Sequence, residues 1–326
     1  NSFIDSFGRS HDYLRISLLE RCNLRCHYCM PEDGVPLRDK SEFMSQEELF
    51  QIVDVFVANG VKKIRLTGGE PLIKKNFGEI LAKLSQYPVK LNITTNGILL
   101  DQFWEQLRLA RVQTLNISLD SLVEQKFNRI SRRSFFQRIL ANIIEAEKLG
   151  FQVKINVVLM KDENDDEIID FINFTSEKNI DVRFIEFMPF DGNKWDRTKT
   201  VGIQEILEKV KAHFGAKVKP IPLEKNATAK NFRIENFKGS FGIISSVTNP
   251  FCDSCNRIRL TADGKIKNCL FSQGEADILS ALRSGKDILP VIQHSISSKN
   301  KERGGLLPFD SEDFKFTNRN MTSIGG

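Results

Sequence analysis

The sequence predicts an α/β fold: a parallel sheet of six strand–helix units that closes only partway into a barrel of the triosephosphate-isomerase type, with a smaller C-terminal region attached. Three observations predict it. Six runs rich in β-branched and aliphatic residues recur through the first 190 positions, most of them separated by segments of helical period. Repeated strand–helix alternation argues for parallel pairing. Within the runs, polar and apolar residues alternate, so one face suits a covering of helices and the other does not.

The first run, 13–18, sets Leu14, Ile16 and Leu18 on one face and Arg15 and Ser17 on the other. A helix follows from Ser45, where Ser45 and Glu48 have capping-box spacing, and ends before Gly60, a suitable residue for the left-handed turn that closes a helix. The second run, 61–66, and the residue after it oppose Lys63, Arg65 and Thr67 to Ile64 and Leu66. In the third, 90–95, Asn92 and Thr94 oppose Leu91 and Ile93. In the fourth, 113–119, Asn116 and Ser118, with Asp120 just beyond, oppose Leu115, Ile117 and Leu119. A helix over about 134–149 stops at Gly150. The fifth run, 152–160, opposes Lys154 and Asn156 to Val153, Ile155 and Val157, and the sixth covers 181–187. Residues 1–190 thus form the barrel-like part. Residues 191–239 read as a connecting segment with one helical run near 202–214, and 240–326 as the smaller unit with a polar tail ending in Gly325-Gly326.

The helices are expected on the apolar face. The polar face then becomes an interior holding Arg15, Lys63, Arg65 and Lys154, where closed barrels pack Val, Ile and Leu. Buried unpaired cations are costly, so such an interior is expected to be wet and ready for an anion. An exposed sheet face or internal ion pairs is the alternative.

Composition narrows the classes. The chain has 326 residues with 27% charged and 40% apolar, and no apolar run approaches the ~20 residues that span a bilayer. A net charge of +5 suits a basic pocket for a small anion better than a surface coated for nucleic acid. Six cysteines in a large chain without an export signal read as free thiols in the cytoplasm rather than a disulfide framework.

Those cysteines fall into two trios. Cys22, Cys26 and Cys29 follow the first strand, where a barrel carries its active-site loops. Cys-x3-Cys-x2-Cys on one tight loop can present three thiolates to a 4Fe–4S cluster and leave one iron open. Zinc, with His27 as fourth ligand, is the alternative. Thr67-Gly68-Gly69-Glu70-Pro71 ends the second strand, with glycines that permit close backbone approach and a carboxylate at the sheet mouth. This pair of motifs resembles the radical S-adenosylmethionine superfamily. The resemblance implies that the open iron chelates the methionine portion, that Gly69 and Glu70 help hold it, and that Tyr28, Thr94, Ser118 and Met188 line the rest of that site. It implies a 5′-deoxyadenosyl radical that takes a hydrogen atom from substrate.

Cys252, Cys255 and Cys269 form the second trio. Asp263-Gly264 between two alternating runs reads as a two-residue hairpin turn pairing 258 with 269, which returns Cys269 toward Cys255. Taken alone this could be a zinc site; beside the first trio a second open 4Fe–4S cluster is favoured. Arg257 and Arg259 share a strand face and suit a triphosphate. Both trios, the Gly-Gly-Glu-Pro turn, Arg257-Ile258-Arg259 and the terminal Gly325-Gly326 together resemble the GTP 3′,8-cyclase family of molybdenum cofactor biosynthesis, over essentially the whole chain. That resemblance implies GTP as substrate, abstraction at C3′ and attack on C8. The second cluster would hold the guanine, and Lys63, Arg65, Lys154, Arg183, Arg257 and Arg259 the phosphates. Arg15, Arg257, Arg259, Gly325 and Gly326 would lie near the reacting centre. It further implies an external electron donor and, as functional partner, the next pathway enzyme, cyclic pyranopterin monophosphate synthase. A homodimer is left open, and neither nucleic acid nor membrane is expected as a partner.

Overall fold

A computed structural model describes residues 3–36, 38–309, 311, 314 and 316–326. Each of the six expected strands forms: β1 (Tyr13–Ser17), β2 (Lys63–Thr67), β3 (Lys90–Thr95), β4 (Thr114–Ser118), β5 (Gln152–Leu159) and β6 (Ile180–Glu186). They pair in sequence order, all parallel. The helices between them include Gln46–Ala58, opened by the Ser45/Glu48 capping box, and Phe136–Lys148. Their apolar stripes cover the face carrying Leu14, Ile16, Ile64, Leu66, Ile93, Leu115, Ile117, Val153 and Ile155, which are buried. Burial of each such side chain is worth roughly 1.5–3 kcal/mol, and it fixes which side of every strand faces away from the helices.

The later chain does more than append a unit. It adds β7 (Val218–Pro220), β8 (Lys230–Ile234), β9 (Ser240–Ile244), β10 (Arg257–Leu260), β11 (Lys265–Lys267) and β12 (Ala276–Asp277) to the same sheet. The order is β12-β11-β10-β1-β2-β3-β4-β5-β6-β9-β8-β7. Both β9 and β10 are parallel to their neighbours β6 and β1, while the outer strands run antiparallel. The sheet is an incomplete barrel of eight parallel strands with a hairpin-like extension at each edge.

The hairpin expectation needs one correction. Arg259 pairs with Lys267 and Leu260 with Ile266, and the Thr261 amide donates to the Lys265 carbonyl, so the turn holds three residues and not two. The register moves by one, which sets Cys269 across from Arg257 rather than Ile258. Gly264 at φ +67° takes the left-handed position such a turn needs, and a Cβ there would lie 2.4 Å from the Leu279 Cβ.

Candidate active site

The inner sheet face is cationic because the strand parity makes it so. In register across three neighbouring strands stand Arg259, Arg15 and Arg65; beside that row stand Arg257, Tyr13 and Lys63. Further round lie Lys154, Asn156 and Arg183 on β5 and β6. These groups are desolvated and repel one another. Burial and the charge of Arg259 push Arg15 well below the usual guanidinium range. Burial with Arg65 brings Arg183 down to about 10, burial with Arg257 does the same to Arg259, and burial with Arg183 brings Lys154 to about 8. Lys154 has a carboxylate within 3.6 Å, Asp181, and Asn116 holds Arg65 through its amide oxygen. Buried donors remain without acceptors: the Nε atoms of Arg15, Arg65, Arg183 and Arg259, and Nη1 of Arg259. The Thr94 hydroxyl and the Asn156 carbonyl on the same face are also unpaired. Each such group costs about 1–3 kcal/mol until a ligand satisfies it.

Tyr13 belongs to this face, although sequence reasoning does not single it out. It has the same parity as Arg15, but an aromatic at a strand start reads as core. Its ring lies 4.6 Å from the Lys63 ammonium and 5.6 Å from the Arg65 guanidinium. Burial would raise its phenol, yet Arg65, Arg15 and Lys63 outweigh that and lower it.

The cysteine loops stand at opposite sides of this interior. The first loop is stitched to the turn after β2 by backbone bonds: the Gly69 amide donates to Leu19 and the Glu70 amide to Arg21. A Cβ at Gly69 would fall 2.1 Å from the Arg21 carbonyl oxygen, so no other residue fits. Glu70 is buried, and its carboxylate accepts from the Leu72 amide, the Thr95 hydroxyl and the Asn96 amide at 2.6–3.0 Å. It therefore ties the turns after β2 and β3 together, and burial raises it to about 7 despite those donors. Asn96 adds contacts to Asn23, at 2.6 Å, and to the Cys22 sulfur, at 3.8 Å. Tyr28 donates its hydroxyl to Asp120 at 2.7 Å, beside Cys26 and Cys29. Burial lifts Asp120 to about 6 and, with Glu70, lifts the Cys22 thiol to about 11; Cys26 and Cys29 move up as well. His27 is engaged elsewhere, 2.9 Å from Glu163. Ser118 ends β4 half-buried, and Met188 packs against Val247 and Phe271.

The second loop differs in its surroundings. Lys299, buried, donates to the Cys255 sulfur at 3.3 Å, to the Arg257 carbonyl at 3.2 Å and contacts His11 Nε2 at 3.0 Å. Burial opposes ionisation of Cys255, but Arg257 and Lys299 prevail and bring it down to about 6. Arg9, paired with Asp5, donates to the backbone carbonyl of Cys252. The tail lies over the adjacent ends of β1 and β2. Gly326 offers its carbonyl to Arg15 and to the Thr67 hydroxyl, and a Cβ on Gly325 would lie 2.9 Å from the Ser17 Cβ.

All six cysteines are free, and each loop offers three soft sulfur donors. Among the described residues no group of three or more His, Cys, Asp or Glu side chains is arranged to hold a metal ion. Within each trio the thiols nonetheless act on one another electrostatically. A set of three thiolates and no other ligand type fits an iron–sulfur cluster better than the mixed or four-sulfur sets of structural zinc.

An incomplete parallel barrel with a three-cysteine loop after its first strand is the architecture of radical S-adenosylmethionine enzymes. Residues 16–175 match the model of the Radical SAM superfamily, and residues 180–304 match that of Molybdenum Cofactor Synthesis C. Among solved structures, Streptococcus suis SuiB bound to S-adenosylmethionine has a similar fold, with a TM-score of 0.63 at 17% identity over 89% of this chain and 68% of that one. Curated relatives include the mitochondrial GTP 3′,8-cyclase of Arabidopsis thaliana, 46% identical over 99% of this chain and 83% of that protein. The GTP 3′,8-cyclase of Listeria monocytogenes is 42% identical over 99% and 98%. The chain spans about half the length of other relatives it matches, among them molybdenum cofactor biosynthesis protein 1 of Drosophila melanogaster, 44% identical over 93% of this chain and 55% of that protein. The chain belongs to the GTP 3′,8-cyclase family. As a radical S-adenosylmethionine enzyme it works with that cofactor and a 4Fe–4S cluster.

Proposed function

We propose that this chain catalyses the radical cyclisation of GTP to 3′,8-cyclo-7,8-dihydroguanosine 5′-triphosphate, an early step of molybdenum cofactor biosynthesis. The observation that carries this is the set of buried guanidiniums with unanswered donors, Arg15, Arg65 and Arg259 in one row and Arg183 further round the same face, lying between two cysteine trios. A triphosphate brings the oxygen acceptors and the negative charge that this interior lacks.

Cys22, Cys26 and Cys29 would hold the first cluster, with Gly69, Glu70, Tyr28, Thr94, Ser118 and Met188 around S-adenosylmethionine. Because the Glu70 carboxylate already accepts three donors, its contribution would chiefly be to fix the turn that carries Gly69, whose backbone would hold the cofactor. Cofactor and cluster together supply a carbon radical able to abstract hydrogen from C3′. Cys252, Cys255 and Cys269 would hold a second 4Fe–4S cluster that receives the guanine. Lys63, Arg65, Lys154, Arg183, Arg257 and Arg259 gather the phosphates. Arg15 stands at the centre of the row, and Gly325 and Gly326 cover it with backbone alone, leaving room for the ribose. Residues 1–190 would chiefly serve the first cluster, with Arg9 and His11 reaching the second, 240–326 would carry the second, and 191–239, which includes β7 and β8, would connect them. An external electron donor is required, and cyclic pyranopterin monophosphate synthase is the enzyme that would take the product. Thiol-bound iron calls for a reducing compartment, and the cytoplasm is the one proposed; no helix among the described residues is long and apolar enough to cross a membrane.

The test is anaerobic incubation of the cluster-loaded protein with GTP, S-adenosylmethionine and a reductant. The expected result is GTP-dependent 5′-deoxyadenosine together with a product isomeric in mass with GTP. No 5′-deoxyadenosine above the GTP-free background rejects the proposal.

A further inference from the structure

The two cysteine trios sit in opposite electrostatic settings. Two buried carboxylates adjoin the first: Glu70 acts on Cys22, and Asp120 on Cys26 and Cys29. Arg25, the cation that acts on Cys22, spends its guanidinium on the backbone carbonyls of Cys22 and Leu24, and His27 is bound to Glu163. The sulfur contacts there are uncharged, from the Leu24 amide at 3.4 Å and the Asn96 amide at 3.8 Å to Cys22 and from the Tyr28 hydroxyl to Cys26.

Around the second trio the balance is reversed. Arg257 and Arg259 flank it on β10, Arg9 reaches the Cys252 carbonyl, and the Arg303 amide meets the Cys252 sulfur at 3.5 Å. Glu302, half exposed, is the acid near Cys252. Lys299 is the distinctive group. Its ammonium has three hydrogens and three partners: His11 Nε2, the Arg257 carbonyl and the Cys255 sulfur. Two of those partners are neutral. A buried ammonium without a counter-charge is strongly disfavoured, so the sulfur is the partner that makes this burial tolerable.

We infer that the second trio is built to hold its cluster at a more positive reduction potential than the first, and that Lys299 sets much of the difference through its charged hydrogen bond to the Cys255 sulfur. The inference rests on the proposal that each trio carries a 4Fe–4S cluster. Reduction adds one electron from an external reductant and takes the cluster from 2+ to 1+, with no bond made or broken. The added negative charge is favoured by hydrogen bonds to the sulfurs and by nearby cations, and opposed by nearby carboxylates. The consequence is a direction of electron flow within one chain: the substrate-side cluster fills first from the external reductant and, when the cyclised substrate radical needs one electron and a proton to become product, is the natural donor of that electron. Lys299 is a positioning and tuning residue that acts through the sulfur and need not touch substrate.

The experiment is a potentiometric titration of the holoenzyme with dithionite, followed by electron paramagnetic resonance, alongside iron and sulfide analysis. Cys22→Ala, lacking the first cluster, assigns the signals. The wild type is expected to show the second couple above the first. Lys299→Met should move the second couple to lower potential and leave the first in place, while Lys299→Arg, which keeps the charge, should stay near wild type. A second couple at or below the first, or one unmoved in Lys299→Met, overturns the inference. If Lys299→Met fails to load its second cluster, the wild-type order and the Lys299→Arg value still decide it. A wild type that binds only one cluster sinks the two-cluster proposal instead, and iron analysis tells the two failures apart.

Discussion

Asp263→Asn asks whether charge holds the C-terminal tail over the site. Asp263 lies in the β10–β11 turn, its side chain almost fully buried, and accepts two bonds from Arg319 at 2.8 and 2.9 Å. Arg38 approaches it at 3.3 Å, and the Thr261 hydroxyl donates at 2.6 Å. Arg319 precedes the short helix Met321–Ile324, and this helix delivers Gly325 and Gly326 to Arg15. Burial alone would raise this carboxyl; Arg319, Thr261 and Arg38 instead lower it from 3.8 to about 2. At ~1.4 kcal/mol per pH unit that difference corresponds to on the order of 2 kcal/mol of folding free energy. The folded-state value is depressed, so the contribution is complete above pH 3.8 and is lost only as pH falls through about 2. Urea unfolding at neutral pH should therefore find Asp263→Asn less stable by about 2 kcal/mol, with a gap that stays constant between about pH 6 and 8. Proteolysis should cut first in the tail, and the KM for GTP should rise more than kcat falls. A variant within about 0.5 kcal/mol of wild type would refute the electrostatic account of the clasp.

Cys22→Ala and Cys269→Ala should each lose about four irons per chain; the first abolishes 5′-deoxyadenosine formation, and the second retains the first cluster but weakens GTP handling. Arg257→Ala should lose roughly 10- to 100-fold of the preference for GTP over guanosine, the range of a hydrogen bond between charged groups, as competition binding would measure. Gly69→Ala drives a methyl group into the Arg21 and Glu20 carbonyls, at 2.1 and 2.6 Å. Overpacking of this kind costs about 1–3 kcal/mol, so the variant should melt earlier and bind S-adenosylmethionine measurably less well by calorimetry.

Strand parity makes much of the interior legible in the sequence itself. Arg15, Lys63, Arg65 and Lys154 follow from period-2 alternation, because a one-residue slip would bury them against the helices and expose Leu14 and Ile64. The cysteine trios are legible for a different reason: thiol spacing on one loop is a local property. What stays hidden is non-local. Nothing in residues 257–260 announces a parallel partner more than 240 positions upstream, yet that pairing brings Arg259 beside Arg15. Lys299 is hidden because a lysine after a helix ordinarily points to solvent, and only packing of the 289–297 helix against β11 and β12 carries it to Cys255. Tyr13 is hidden by its chemistry, since aromatic residues at strand starts read as core. The Asp263-Gly264 pair announces a turn but understates its length by one residue, because Asp-Gly also suits the longer loop with its glycine in the left-handed position.

These placements combine into one energetic argument. A sheet face that gathers Arg15, Arg65, Arg183 and Arg259 out of water destabilises the unliganded fold through both repulsion and unanswered donors. The helical face offsets this with an apolar core that runs under every parallel strand. A ligand that neutralises the interior should then stabilise the folded chain well beyond what its contact area suggests. By mass action, a triphosphate at a hundredfold over its Kd adds about 2.7 kcal/mol. In anaerobic melts without S-adenosylmethionine, GTP should raise the midpoint more than GDP, and GDP more than guanosine, at equal concentration. Lys154, partly answered by Asp181, should contribute less to that order than Arg65 or Arg259, so Lys154→Ala should leave most of the GTP shift in place while Arg259→Ala removes much of it. Equal shifts from GTP and guanosine would mean that the guanidinium row answers to something other than phosphate.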